Sequence, residues 1–158
     1  MTHFSHIDKA GNPVMVDVSE KKKSKRTATA RSIVSLPKKI LDKLVNGEIQ
    51  TKKGTVFQTA IIAGIMAAKR TGELIPLCHP LGLDNCNIQI DLNEQDELII
   101  ECTASIEAKT GVEMEALVGA SIAALTVYDM CKAFSHDIII KETKLMKKTG
   151  GKKDFERK

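Results

Sequence analysis

From Arg26 to Leu36 (RTATARSIVSL) the chain alternates with period two. Ala28, Ala30, Ser32 and Val34 fall on one side, and Thr27, Thr29, Arg31, Ile33 and Ser35 on the other. That is the period of a pleated strand with one face buried, broken at Leu36 by Pro37. Asn87 to Leu92, where Ile88, Ile90 and Leu92 alternate against polar neighbours, and Glu97 to Ala108 predict two further strands. The turn at Asn93 to Asp96 makes them a hairpin. Val14 to Val18 is a short strand candidate, and Asp137 to about Leu145 a last one.

Between the strands the apolar positions take a helical period. Pro37 suits the first position of a short helix running to Val45, with Ser35 or Leu36 at its cap and Gly47 as its stop. Its apolar stripe is Ile40, Leu41, Leu44 and Val45. A second helix, Thr55 to about Arg70, carries Ala60, Ala63, Gly64, Ala67 and Ala68 beside Ile61, Ile62, Ile65 and Met66. A stripe of such small residues lets another helix or a strand approach closely. The longest helix runs from Thr110 to Ala133 (TGVEMEALVGASIAALTVYDMCKA), uncharged from Ala116 to Tyr128. A middle without charge packs against protein rather than water. Thr110 or the loop before it caps this helix, and Glu113 in its first turn suits the helix dipole.

The resulting order is strand, strand, helix, helix, strand, strand, helix, strand. It departs from the strict alternation of a parallel doubly wound sheet and predicts an α+β fold, ferredoxin-like, with a largely antiparallel sheet and helices packed on one face. At 158 residues the chain is expected to be a single domain, 1–158, in which 1–13 and about 147–158 are mobile arms. Helices this rich in Ala and Gly have more surface to bury than one sheet offers, so self-association is expected.

Composition narrows the function. Aromatic residues are 3% of the chain and Trp is absent, which disfavours a protein that stacks bases on aromatic platforms. The net charge of +4 is unevenly placed: Lys21, Lys22, Lys23, Lys25 and Arg26 form one run, and Lys144, Lys147, Lys148, Lys152 and Lys153 another. Such runs are either solvated surface or an anion site. Cys78, Cys86, Cys102 and Cys131 include no CxxC pair, and no secretory signal precedes them, so reduced thiols and a cytoplasmic location are expected. The uncharged runs stop short of the roughly 18 residues a membrane span needs, so no membrane partner is expected.

Walker, GxGxxG and HExxH sequences are all absent, and adjacent Cys78 and His79 point poorly at one ion. Neither a cofactor nor a metal is expected. His79 sits in IPLCHPL, a loop stiffened by Pro76 and Pro80. Asp129 and Lys132, spaced i, i+3 at the end of the apolar helix, are either a surface ion pair or an acid/base pair whose protonation is set by desolvation and a close partner. Lys53, His79 and Lys148 are further donors that loops bring to such a site. Lys69 and Arg70 close their helix where cations favour a C-terminus, or Lys69 serves the site.

The segments IAGIMAAKRTGELIPLCHPL, TGVEMEAL and ALTVYDMCKA, with MVDVS, KKG and KKTGGK in order around them, resemble the molybdenum cofactor biosynthesis protein C (MoaC) family, the cyclic pyranopterin monophosphate synthases. The likeness covers nearly the whole chain. It implies conversion of 3′,8-cyclised dihydroguanosine triphosphate to cyclic pyranopterin monophosphate with loss of pyrophosphate. At matching positions the implied catalytic residues are Asp129 and Lys53, with Lys132, His79 and Lys148 nearby. Leu77, Cys78, His79, Met114 and Glu115 match substrate-binding positions, and Arg26 and Lys69 match positions lining the pocket. It also implies a ferredoxin-like fold and a hexamer built from dimers, each site at a subunit interface. Two positions depart from the family pattern: Thr29, where members often carry a second Arg, so that one phosphate contact is either missing or supplied by Arg31, and Lys153, which precedes Asp154 in place of Ser-Gly.

Glu115 and Asp129 stand about four turns apart on one helix, roughly 21 Å, so each copy is expected to contribute to two sites. The rival class is a basic RNA-binding ferredoxin-like module, which needs aromatic side chains on exposed strand positions.

Overall fold

The computed structural model describes residues 6–158. In chain order the elements are β1 (Ser24–Ser35), α1 (Lys38–Leu41), β2 (Leu44–Val45), β3 (Glu48–Thr51), β4 (Gly54–Thr55), α2 (Val56–Ala68), α3 (Thr71–Leu74), β5 (Asn85–Leu92), β6 (Glu97–Ala108), α4 (Glu113–Cys131), β7 (Ile139–Thr149) and β8 (Phe155–Glu156). The main sheet runs β5-β6-β1-β7-β8, with every pair antiparallel. Leaving aside the two-residue β8, β1-α2-β5-β6-α4-β7 is a ferredoxin-like α+β arrangement.

The alternation in β1 determines which face is core. Ala28, Ala30, Ser32 and Val34 lie opposite Ala104, Cys102, Ile100 and Leu98 of β6, and all eight are buried. Ser32, the polar member, shares a 2.6 Å hydrogen bond with the hydroxyl of Thr143. On the other face the Thr29 and Thr103 hydroxyls meet at 2.8 Å and Arg31 pairs with Glu101. α2 and α4 cover the core face, and Ala116, Ala120, Ala123, Ala124 and Val127 have no exposure at all. A Cβ on Gly64 would come 2.7 Å from the Gly119 carbonyl oxygen, and one on Gly119 would come 2.5 Å from Cys102 Sγ. The small-residue stripe thus does what its size permits: two helices and a strand meet without room for a methyl group. By length and composition α4 is apolar enough to cross a membrane, but 56% of it is buried inside this fold, where it serves as the core helix.

Several boundaries differ from the sequence pattern. Val14–Val18 is not a strand; it runs beside the Pro-bracketed loop, and the Val16 carbonyl accepts a bond from His79. The helix expected over Pro37–Val45 stops at Leu41, and Leu44–Val45 pairs instead with Ile49 and Glu48. Asn46 and Gly47 have φ of 52° and 74°, both left-handed. Asn-Gly with two positive φ is a tight hairpin turn, which a four-residue apolar stripe imitates as a helix end. α2 stops at Ala68, and the separate turn α3 follows. α4 starts at Glu113, capped by position at Val112 without a side-chain bond, so Thr110 is not its cap.

β7 runs on to Thr149, and Lys147 and Lys148 pair with Glu156 and Phe155. Lysines suit a strand near the sheet edge, where they also discourage pairing with other chains. Of the segment expected as an N-terminal arm, residues 1–5 lie outside the described residues; Ile7 bridges Pro13, and the Asp8 carboxylate accepts bonds from the Ala10 and Asn12 backbone.

Candidate active site

Asp129 lies in the last turn of α4, and two lysines bracket its carboxylate. Lys132 Nζ is 2.7 Å from Oδ1, and Lys53 Nζ is 2.8 Å from Oδ2. Lys132 arrives through helical spacing alone. Lys53 arrives from the tip of the β3–β4 hairpin, where Thr51 Oγ1 accepts the Lys53 backbone N–H and donates to the Gly54 carbonyl. Gly54, at φ +113°, closes that turn in a region other residues avoid. The carboxylate is half exposed, yet the ammonium of Lys132 first, and that of Lys53 next, hold its pKa at about 2. Lys132 is raised in turn, chiefly by its bond to Asp129. The three groups border an open cavity of about 1020 Å³ with an apolar floor that includes Val45, Met130 and Phe134. Asp129 is thus a fixed anion between two proton donors, an arrangement that can hold or pass a proton.

The opposite end of α4 holds the second group. Leu77, Cys78, His79, Met114 and Glu115 line a cavity of about 280 Å³, which Val16 and Val18 close from one side. His79 Nε2 lies 2.7 Å from the Val16 carbonyl oxygen, which can only accept, so Nε2 carries the hydrogen and Nδ1 is left as the basic nitrogen. Glu115 is only 3% exposed, and burial raises its pKa. Burial also raises the Cys78 thiol, with the Glu115 charge adding to the effect.

A third cavity, about 580 Å³, adjoins the second, and the two share Lys21, Thr110, Gly111 and Glu113. Arg26, Lys109, Lys148 and Lys152 line it, so the two cationic runs of the sequence converge on one concave surface. Lys148 Nζ rests 3.0 Å from Glu113 Oε1, a pairing that an anionic ligand can displace. Arg26 donates to the Ala108 and Lys109 carbonyls at its wall.

Within one copy the structure therefore gathers Asp129, Lys53 and Lys132, and separately Leu77, Cys78, His79, Met114, Glu115, Arg26 and Lys148. Lys69 joins neither; it is the C-cap of α2 and borders a separate cavity of about 310 Å³ with Arg70 and Glu73. Arg31, one of the two alternatives for the contact absent at Thr29, is bound to Glu101 and borders none of these cavities. Sequence pattern does not mark Lys109 and Glu113 as site residues, although both follow from reading the loop before α4 as a cavity wall. Glu48 has no signal at all: its carboxylate reaches residues nine and ten positions ahead. Among the described residues no three His, Cys, Asp or Glu side chains gather as a metal site.

Fold and site together define an α+β protein of ferredoxin-like topology with a lysine-bracketed carboxylate at one end of its core helix and a cationic cavity at the other. The chain belongs to the MoaC family, whose model matches residues 15–151. It is 53% identical over 152 residues to the cyclic pyranopterin monophosphate synthase of Xanthomonas campestris pv. campestris (strain B100), covering 96% of this chain and 92% of that one. To the synthase of that name from Bacillus thuringiensis subsp. konkukian it is 51% identical over 162 residues, covering 100% and 99%. To the molybdenum cofactor biosynthesis bifunctional protein of Synechocystis sp. it is 53% identical over 155 residues; the match covers 96% of this chain but 45% of that protein.

Proposed function

We propose that this chain is a cyclic pyranopterin monophosphate synthase of molybdenum cofactor biosynthesis. It converts 3′,8-cyclised dihydroguanosine triphosphate to cyclic pyranopterin monophosphate and pyrophosphate. The observation that carries the reading is the Lys53–Asp129–Lys132 constellation, standing in a chain whose relatives bear that enzyme's name.

Arg26, Lys148 and the neighbouring lysines hold the triphosphate by charge-assisted hydrogen bonds. The Leu77–His79 loop, Met114 and Glu115 receive the ring system, and Lys69 lies outside their cavity, in a neighbouring one that shares Leu81 with it. Burial disfavours the charge on the Glu115 carboxyl and raises its pKa, and N–H groups of a bound heterocycle would supply the hydrogen bonds that water no longer gives it. Asp129 and Lys53 or Lys132 exchange protons as the guanine-derived ring opens and the pyranopterin forms, with His79 as a further acid/base group. A ribose oxygen then attacks the α-phosphorus and pyrophosphate leaves, the lysines stabilising the developing charge as a phosphorus–oxygen bond closes the ring.

One helix carries Asp129 and Glu115 at opposite ends, too far apart for one small pocket. Each site would therefore draw on two copies of a homo-oligomer, and the family resemblance implies that this is a hexamer formed as a trimer of dimers. Ile62 and Met66 on α2 and Leu125 on α4 are about half exposed and offer apolar surface for such contacts. With four free thiols, the protein works in the reducing cytoplasm, without a cofactor or membrane partner. An RNA-binding module would need aromatic side chains across the outer sheet face, where Thr29, Arg31, Ile33, Ile99, Glu101 and Thr103 stand instead.

The test is to mix the purified protein with the cyclised triphosphate and follow pyrophosphate. Stoichiometric release with formation of the cyclic monophosphate is expected; salt-sensitive RNA binding without turnover would sink the reading.

A further inference from the structure

We infer that Glu48 is a positioning residue for Lys53: its carboxylate, clamped onto the first turn of α2, sets the β3–β4 hairpin so that the lysine at its tip reaches Asp129. This rests on the reading of Lys53 and Asp129 given above.

Thr55 is the N-cap of α2 by position, yet its side chain makes no capping bond. Glu48 supplies the cap instead, from seven residues upstream. Its Oε1 accepts the Phe57 N–H at 2.9 Å and its Oε2 accepts the Gln58 N–H at 3.1 Å, and Oε1 also accepts the adjacent Ile49 N–H at 2.7 Å. Phe57 and Gln58 carry donors that a helix leaves unpaired at its start, and a carboxylate is the best partner for them. The bond therefore ties the beginning of β3 to a helix packed in the core.

The hairpin needs that tie. β2, β3 and β4 are two, four and two residues long and pair only with one another, a ribbon too short to hold a shape alone. β4 runs directly into α2 and Leu44 of β2 packs against the core, while β3, which leads to the tip, is anchored by Ile49, which is fully buried, and by Glu48 beside it. Beyond them the chain turns at Lys52 and Lys53 and returns to α2. Ile49 supplies burial, which is tolerant of direction, whereas the two-oxygen grip of Glu48 on successive N–H groups fixes an orientation. A hairpin free to tilt would carry Lys53 away from Asp129, across the open cavity that Glu48 also lines.

The experiment compares Glu48→Ala, Glu48→Gln and Lys53→Ala with the native protein. Asp129 is followed by carboxyl-carbon NMR titration, and turnover by pyrophosphate release. In Glu48→Ala the Asp129 titration is expected to move upward, toward its position in Lys53→Ala. kcat should fall about tenfold, the effect of one weakened charge-assisted contact in the transition state, with KM little changed. Glu48→Gln keeps one acceptor oxygen and should recover part of both, and it stands in for the alanine variant should that one fail to fold. A folded Glu48 variant that leaves the Asp129 titration at its native position, while Lys53→Ala moves it, overturns the proposal. Movement of the titration with native turnover supports the positioning and overturns the role of Lys53 in the chemistry, so the two failures read differently.

Discussion

Lys53 Nζ lies 2.8 Å from Asp129 Oδ2 although 76 positions separate the two residues. Helix geometry places Lys132 beside Asp129 in any protein with that spacing, but only the docking of the β3–β4 hairpin brings the second lysine. A bracketed carboxylate that carries the chemistry makes a sharp demand. Asp129→Asn should lower kcat by about 10²- to 10⁴-fold, the usual worth of an acid/base group, while light scattering shows the native assembly.

The two lysines also set how Asp129 responds to acid. Its pKa is depressed from 3.8 to about 2, so its contribution to stability is complete above the ordinary value and is lost as pH falls through about 2. The melting temperature of Asp129→Asn should therefore lie below the native value near neutrality and converge on it as pH falls through that window. Thermal melts across the range check it, and a constant gap would count against the ion pairs.

Glu115 works in the opposite sense. Burial raises its pKa above the ordinary 4.5, so the native protein loses stability as pH rises from that value and the carboxyl ionises. Glu115→Gln escapes this cost. Its melting temperature should gain on the native protein as pH rises from about 4 toward neutrality; a gap independent of pH would show that the buried carboxyl does not titrate in this way.

The crossing of α2 and α4 allows no side chain. Gly64→Ala puts a Cβ against the Gly119 backbone carbonyl, which has little freedom to move aside, and should cost about 1–3 kcal/mol in denaturant unfolding. Thr59 is exposed on the same helix, so Thr59→Ala serves as the control and should have a far smaller effect.

A site shared between copies can be rebuilt from two broken ones. Asp129→Asn and His79→Ala should each be inactive alone, since their lesions lie at opposite ends of α4. Exchanged into mixed oligomers, they should recover about a quarter of the native sites, the share in which random pairing joins two intact halves. Recovery of nothing after verified subunit exchange would place each complete site within one copy.

Much of this protein is legible in short-range pattern. The β6 boundaries, Glu97 to Ala108, and the two-sided alternation of β1 follow from a period of two, and the uncharged run of α4 marks it as the core helix. The Asp129–Lys132 pair is visible too, because i, i+3 spacing is itself geometry. What stayed hidden depends on partners far along the chain. Leu44–Val45 reads as the end of a helix until Ile49 and Glu48 pair with it across the Asn46-Gly47 turn. The Lys-rich end of β7 reads as solvated tail until Phe155 and Glu156 lie beside it. Period and spacing report the local environment of a residue, and they determined the long strands, the core helix and the adjacency of Asp129 and Lys132. Which loop delivers Lys53, what holds that loop through Glu48, and which lysines share a cavity with Arg26 were decided only when packing brought distant segments together.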